Sequence, residues 1–100
     1  MSAMNFDDVF ARLAGIVGDA LRVDVARITP ETNLIVDLNA ESIDLVDIRF
    51  RMEEAFGFRI EQRAFVTGVA GTVTPEDVRT ALTMRRMTDW VMQQKRGETS

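Results

Sequence analysis

Asp37-Leu38-Asn39-Ala40-Glu41-Ser42-Ile43-Asp44 is the stretch on which the reading of this chain turns. It sets one serine between two carboxylates, where a turn-forming segment runs into an amphipathic one. A serine in that place can begin a helix, its hydroxyl accepting from the free backbone N–H groups of the first turn. The same N–H groups, with the helix dipole behind them, also favour a phosphate. Two readings therefore stand together: a helix cap, and a serine that carries a phosphate-linked group. Taken alone the octet favours the cap, because such caps start many helices.

Downstream of the octet, a helix is predicted from Ser42 to Phe56, ending at Gly57 in a glycine C-cap. At about 100° per residue its apolar residues fall in two groups. Leu45, Ile48, Met52, Ala55 and Phe56 form a wide face suited to a core. Ile43, Val46 and Phe50 form a separate narrow strip, with Asp44, Asp47, Arg51 and Glu54 on the ground between. A helix that only buries one side does not need that second strip. It is either a helix packed on two sides or one with a partner-docking surface.

Upstream, Phe6, Val9, Phe10, Leu13, Ile16, Val17, Ala20 and Leu21 recur at the three-four spacing of a first helix. Asn5 is its predicted cap, with Asp7 and Asp8 in the favourable first turn. Gly15 and Gly18 weaken this helix and point to close packing. Residues 23–36 read as a long connection with turn chemistry at Thr29-Pro30-Glu31-Thr32. Val25, Ile28, Leu34 and Ile35 are its expected anchors. Beyond Gly57, a short helix is expected from Thr74-Pro75-Glu76-Asp77 to about Leu82. A last helix should run from about Thr83 to Gln94, with Met84, Met87, Trp90 and Val91 inward. Residues 61–73, with Gly68 and Gly71 among Phe65, Val66, Val69, Ala70 and Val73, read as an apolar loop with room for a short helical turn. The predicted fold is a small all-α four-helix bundle, three helices long and one short, with a long loop between the first two. One domain spans residues 1–96, and 97–100 form a frayed tail.

Composition narrows the function. The 100 residues, 46% of them apolar, suit one folded domain. Cysteine and histidine are both absent. That excludes a disulfide framework, a thiol nucleophile and thiolate zinc chemistry, and removes the commonest general base. No run of about 18 apolar residues is present and the start lacks a signal segment, so the expectation is a soluble cytoplasmic protein without stable membrane insertion. The net charge is −4, concentrated in residues 37–61, whereas residues 62–100 are net positive. An acidic middle argues against nucleic acid and for basic protein partners. A calcium loop starting at Asp37 fails, because Ser42 stands where glycine is needed and Ile48 where glutamate is.

Three pieces in order and register give the chain its likeness. They are Ile28-Thr29-Pro30-Glu31-Thr32-Asn33-Leu34, the octet at 37–44, and Glu53-Glu54-Ala55-Phe56-Gly57-Phe58-Arg59-Ile60. With them the chain resembles the acyl carrier proteins, from about Leu21 to Ile60. The resemblance implies a 4′-phosphopantetheine arm on Ser42, placed there from coenzyme A by a holo-acyl-carrier-protein synthase. It implies a monomeric, non-catalytic carrier that holds an acyl chain as a thioester. Its partners would be acyl-transferring or acyl-elongating enzymes with basic docking patches, in fatty acid, lipid or polyketide biosynthesis. Glu41, Asp44, Asp47, Glu53 and Glu54 match charged positions of the family's docking region, and Ile43, Val46 and Phe50 its apolar contacts. A peptidyl or aminoacyl carrier, or an unmodified helical interaction domain, are the alternatives. Three departures mark a specialised member: Glu41 where the family has aspartate, Arg49 and Arg51 in the second helix, and a longer segment between Ile60 and Thr83. That segment and Trp90 suggest a long or modified acyl chain.

Overall fold

The computed structural model describes residues 5–98, with side chains through Lys95. Its helices are α1 (Phe6–Leu21), α2 (Ser42–Phe56), α3 (Gln62–Ala70), α4 (Pro75–Ala81) and α5 (Met84–Glu98), with a single 3-10 turn at Val25–Arg27. Among the described residues there is no strand, only an isolated antiparallel bridge between Asn33 and Thr83. The expected all-α bundle is present, with one helix more than the sequence suggested.

Helix α1 begins where its side chains dictate. Asn5 Oδ1 accepts from the Asp8 N–H at 2.9 Å, and Asp7 and Asp8 occupy the first turn. Val9, Leu13 and Val17 are buried along one stripe. Gly18 lets the chain turn back closely, since a Cβ there would sit 2.9 Å from the Val23 carbonyl oxygen. Leu45, Ile48, Met52 and Phe56 of α2 complete the opposite wall, joined by Met84, Met87 and Val91 of α5. Gly57 closes α2 at φ 78°, a left-handed conformation that glycine adopts without strain. Two cations from other helices meet that end: Arg12 donates to the Ala55 carbonyl and Lys95 to the Phe56 carbonyl, each at 3.1 Å. They complement the negative pole of the helix.

The segment 61–73 departs from expectation. It is not a loop: residues 62–70 form α3, with Phe65, Val69 and Ala70 buried. Phe65 and Val69 lie one turn apart, so a helix puts both on the same inward face. Gly68 is what makes that packing possible, because a Cβ there would fall 2.5 Å from Trp90 Nε1. The Trp90 ring stands edge-on to Phe65 at 5.8 Å between centroids. The side chains that the longer segment brings inward thus fill the space between α3 and α5. By contrast α4 buries none of its residues. Thr74 stands at its N-cap without a side-chain hydrogen bond, so proline at the first position and the acids Glu76 and Asp77 define that start.

In the long connection Ile28 and Leu34 are buried as expected anchors and Ile35 packs half-buried against the core, whereas Val25 is 47% exposed and only rests over Gly18 of α1. Backbone bonds tie this connection to the start of α5: Leu34 N–H to the Leu82 carbonyl, Met84 N–H to that of Thr32, and Arg85 N–H to that of Pro30. Helix α5 continues to Glu98, into the stretch expected to fray, and Thr99 and Ser100 lie outside the described residues.

Candidate functional site

Ser42 is the first residue of α2 and is exposed. It is not the cap. Glu41 holds the N-cap position in extended geometry (φ −103°, ψ 172°), and Asp44 Oδ2 accepts from the Glu41 N–H at 2.8 Å in a capping-box arrangement. The reason is register: the helix begins one residue earlier than a serine cap would require, and the flanking carboxylates take over the capping. The Ser42 hydroxyl consequently makes no hydrogen bond to any other described residue. Of the two readings of the octet, the structure removes the cap and leaves a free, exposed hydroxyl at the positive pole of a helix.

The approach to Ser42 is held by a residue that the sequence reading passed over. Asn33 is 6% exposed and all of its polar atoms are used. Its Nδ2 donates to the carbonyls of Arg79 at 2.9 Å and Thr80 at 3.1 Å. Its Oδ1 accepts from the N–H groups of Ile35 and Val36, both at 2.8 Å. Its backbone N–H donates to Asp37 Oδ2 at 2.7 Å, and its carbonyl accepts from the Asp37 N–H at 2.9 Å. One side chain therefore folds the turn before the octet and moors the end of α4 to it. The available signal was asparagine's habit of bonding the backbone two residues on. Asn39 then turns the chain into α2 at φ 59°. That left-handed conformation suits asparagine and glycine. Ala40 is buried behind the turn and its N–H donates to the Leu34 carbonyl at 2.9 Å.

Beyond Ser42 the second apolar strip is open to solvent, with Ile43 73%, Val46 42% and Phe50 54% exposed. The charged residues around it differ in state. Glu41 and Glu54 are exposed, and Asp44 is half-buried with its carboxylate on the Glu41 N–H. Asp47 pairs with Arg51, Oδ1 to Nε at 3.1 Å. Glu53 is bound more tightly, its Oε2 accepting from the Ile60 N–H at 2.6 Å and meeting Arg49 at 3.2 Å. Arg49 in turn donates to the Ile60 carbonyl at 2.9 Å and to Gln62 Oε1 at 2.7 Å. These two residues of α2 grip both polar groups of the Ile60 backbone and fix the start of α3. Away from this face, Gly68, Val69, Arg86, Asp89, Trp90 and Gln93 line an open groove of about 210 Å³. Its charged and amide walls are not those of a pocket for an apolar chain.

Fold and site together define a class: a small helical bundle that offers one uncommitted hydroxyl at the head of an exposed helix. Comparison with known proteins agrees. The family description "Phosphopantetheine attachment site" matches residues 11–82. The acyl carrier protein of Rubrobacter xylanophilus is 39% identical over 57 residues, covering 57% of this chain and 70% of that protein. That of Thermotoga maritima is 36% identical over 55 residues, covering 55% and 68%. The Helicobacter pylori acyl carrier protein is 34% identical over 67 residues, covering 65% of this chain and 86% of its own. The chain belongs to the acyl carrier protein family, with 4′-phosphopantetheine as its prosthetic group. Such proteins are non-catalytic: they carry acyl chains and work with biosynthetic enzymes. Among the described residues no helix is long and apolar enough to cross a membrane.

Proposed function

We propose that Ser42 is the residue that bears the phosphopantetheine arm, and that this carrier presents an arm-bound acyl chain to enzymes docked on α2. One observation carries the assignment. Ser42 is the only serine between residues 11 and 82, the stretch matched by the family, and its hydroxyl is exposed and makes no hydrogen bond to another described residue. The surroundings fit a phosphodiester, since the first-turn N–H groups and the helix dipole offset part of its charge. When bound, the arm supplies the thiol that this cysteine-free chain lacks, and on it an acyl chain is held as a thioester.

The chain's own residues do the rest. Asn33, Asp37 and Asn39 shape the turn that holds Ser42 clear of the bundle. Ile43, Val46 and Phe50, with Glu41, Asp44, Asp47, Glu53 and Glu54 around them, form the surface that meets the holo-acyl-carrier-protein synthase and the acyl-transferring or acyl-elongating enzymes. Tethering raises the effective concentration of the chain at each docked enzyme. On this reading the protein acts as a cytoplasmic monomer in fatty acid, lipid or polyketide biosynthesis.

The test is intact mass after incubation with coenzyme A and a holo-synthase. Wild type should gain the mass of one phosphopantetheine and Ser42→Ala none. A gain retained by Ser42→Ala would refute the assignment.

A further inference from the structure

The Ser42 side chain makes no bond that fixes its place, so that place comes from the backbone leading to it. From Ile35 to Glu41 all seven consecutive backbone N–H groups have partners within residues 33–44, and four of the seven end on Asn33. Ile35 and Val36 donate to its Oδ1, while Asp37 and Leu38 donate to its carbonyl oxygen at 2.9 and 3.3 Å. Two more fold back over the same turn, Asn39 to the Ile35 carbonyl at 3.1 Å and Ala40 to that of Leu34 at 2.9 Å. The last, from Glu41, goes to Asp44. With its donors all committed, the stretch cannot shift without breaking bonds that converge on one residue.

Asn33 stands on a fixed base. Its two neighbours are strapped to the start of α5, Thr32 by its carbonyl to the Met84 N–H at 2.9 Å and Leu34 by its N–H to the Leu82 carbonyl at 3.0 Å. Its Oδ1 faces the turn and its Nδ2 the end of α4, so one side chain passes the frame of the bundle to the approach to Ser42. Helix α2 does not supply that frame to its own first residues, because Leu45 is the first of them to be buried.

We infer that Asn33 is a positioning residue for arm attachment, setting through Oδ1 and its carbonyl where the Ser42 hydroxyl stands when coenzyme A meets it. The inference rests on the reading of Ser42 given above. In that transfer Ser42 Oγ bonds to the phosphorus that carries pantetheine and the pyrophosphate bond of coenzyme A breaks. Adenosine 3′,5′-bisphosphate leaves, and the hydroxyl proton passes to a base of the synthase. Misplacing a reacting atom by about 1 Å costs about a hundredfold in rate. The side chains of α2 that a synthase meets are untouched by such a shift, so kcat should fall while KM for the carrier holds.

The test is kcat and KM for phosphopantetheine transfer by a broad-specificity holo-synthase, followed by intact mass at a temperature where circular dichroism shows each variant folded. Asn33→Ala should lower kcat by about tenfold or more and leave KM within about twofold. Asn33→Asp keeps an acceptor for Ile35 and Val36 but loses both donors to α4. It should recover kcat to within about threefold of wild type while remaining as unstable as the alanine variant. Gly68→Ala, whose methyl meets Trp90, should lower the Tm and leave both constants unchanged. Should Asn33→Ala fail to fold, Asn33→Ser takes its place, and its single hydroxyl should lower kcat several-fold. The inference is overturned by an alanine variant (or its serine substitute) with kcat within about twofold of wild type. A Gly68→Ala variant slowed in proportion to its Tm, or an Asn33→Asp variant as slow as alanine, also overturns it. Each of these leaves Ser42 as the attachment site. A wild type that gains no mass with any synthase, or a gain that survives Ser42→Ala, would overturn both.

Discussion

Replacing Asn33 with alanine should loosen the turn before Ser42 and the end of α4 in one step. The side chain makes four hydrogen bonds, two donated and two accepted, from a position only 6% exposed. A typical intramolecular hydrogen bond contributes about 1 kcal/mol net, and a partner left buried without one costs about 1–3 kcal/mol. The partners here differ in recovery. Arg79, Thr80 and Val36 are exposed residues whose backbone groups can turn to water, whereas Ile35 is half-buried. The expected loss is therefore about 2–4 kcal/mol, a large share of the roughly 5–15 kcal/mol that holds a domain of this size together. A 3 kcal/mol loss corresponds to a Tm lower by roughly 12–24 °C in a domain of up to about 100 residues. Urea unfolding followed by circular dichroism measures it. Asn33→Asp should be no better than alanine, because it turns a carboxylate toward the carbonyls of Arg79 and Thr80 and adds a second charge beside Asp37. Stability within about 0.5 kcal/mol of wild type for Asn33→Ala, the range of an ordinary surface change, would refute the reasoning. The backbone bonds from Leu34 to Leu82 and from Asp37 to Asn33 would then be sufficient.

Two further outcomes follow from other contacts. Gly68→Ala would improve helix propensity by about 1 kcal/mol, yet it should destabilise the protein by about 1–3 kcal/mol through overpacking. The new methyl meets a rigid indole held against Phe65 and Phe58, so Trp90 fluorescence should shift with the lowered Tm; a raised Tm would contradict this. At the surface, a hydrogen bond from Arg85, and then its charge, holds the Glu31 carboxyl below its ordinary value of 4.5. The folded state thus binds this proton less readily than the unfolded one. Its stabilising effect is present above the ordinary value and is lost as pH falls through the folded one. Because both groups are exposed the effect is small, and the stability gap between wild type and Glu31→Gln should close between pH 7 and about pH 3; a constant gap would show that the pair does not contribute.

The elements legible in the sequence were those whose signals are local. Asn5 and the acids behind it mark the start of α1, and Gly57 marks the end of α2. The split of α2 into a core face and a second apolar strip followed from angular position alone, because burial follows the helical period; that the strip is open to solvent came only with the fold. Helix α3 was obscured because Gly68 and Gly71 look like loop punctuation. In the fold Gly71 is a C-cap, while Gly68 answers to Trp90, more than twenty residues away in sequence. No local pattern could express that contact. Ser42 was legible as the decisive residue, but its role as a cap was not settled by residue type. Capping passed to Glu41 and Asp44 through a one-residue shift of register that the tertiary structure fixes. The pairs Asp47–Arg51 and Arg49–Glu53 were readable as opposite charges four apart. The second pair's hold on Ile60 depends on how the chain returns after Gly57, which spacing does not give.

Helix α4 sends no side chain inward and is moored through its carbonyls by Asn33, while Leu82, immediately after it, is fully buried. A stretch attached in this manner can change its outward residues without disturbing the bundle, provided its last backbone turn still reaches that asparagine. Evolution can thus rewrite the outer surface of the added segment almost letter by letter. Diversification among related carriers should gather on Val73, Glu76, Asp77 and Arg79, while Asn33 and Leu82 stay as they are.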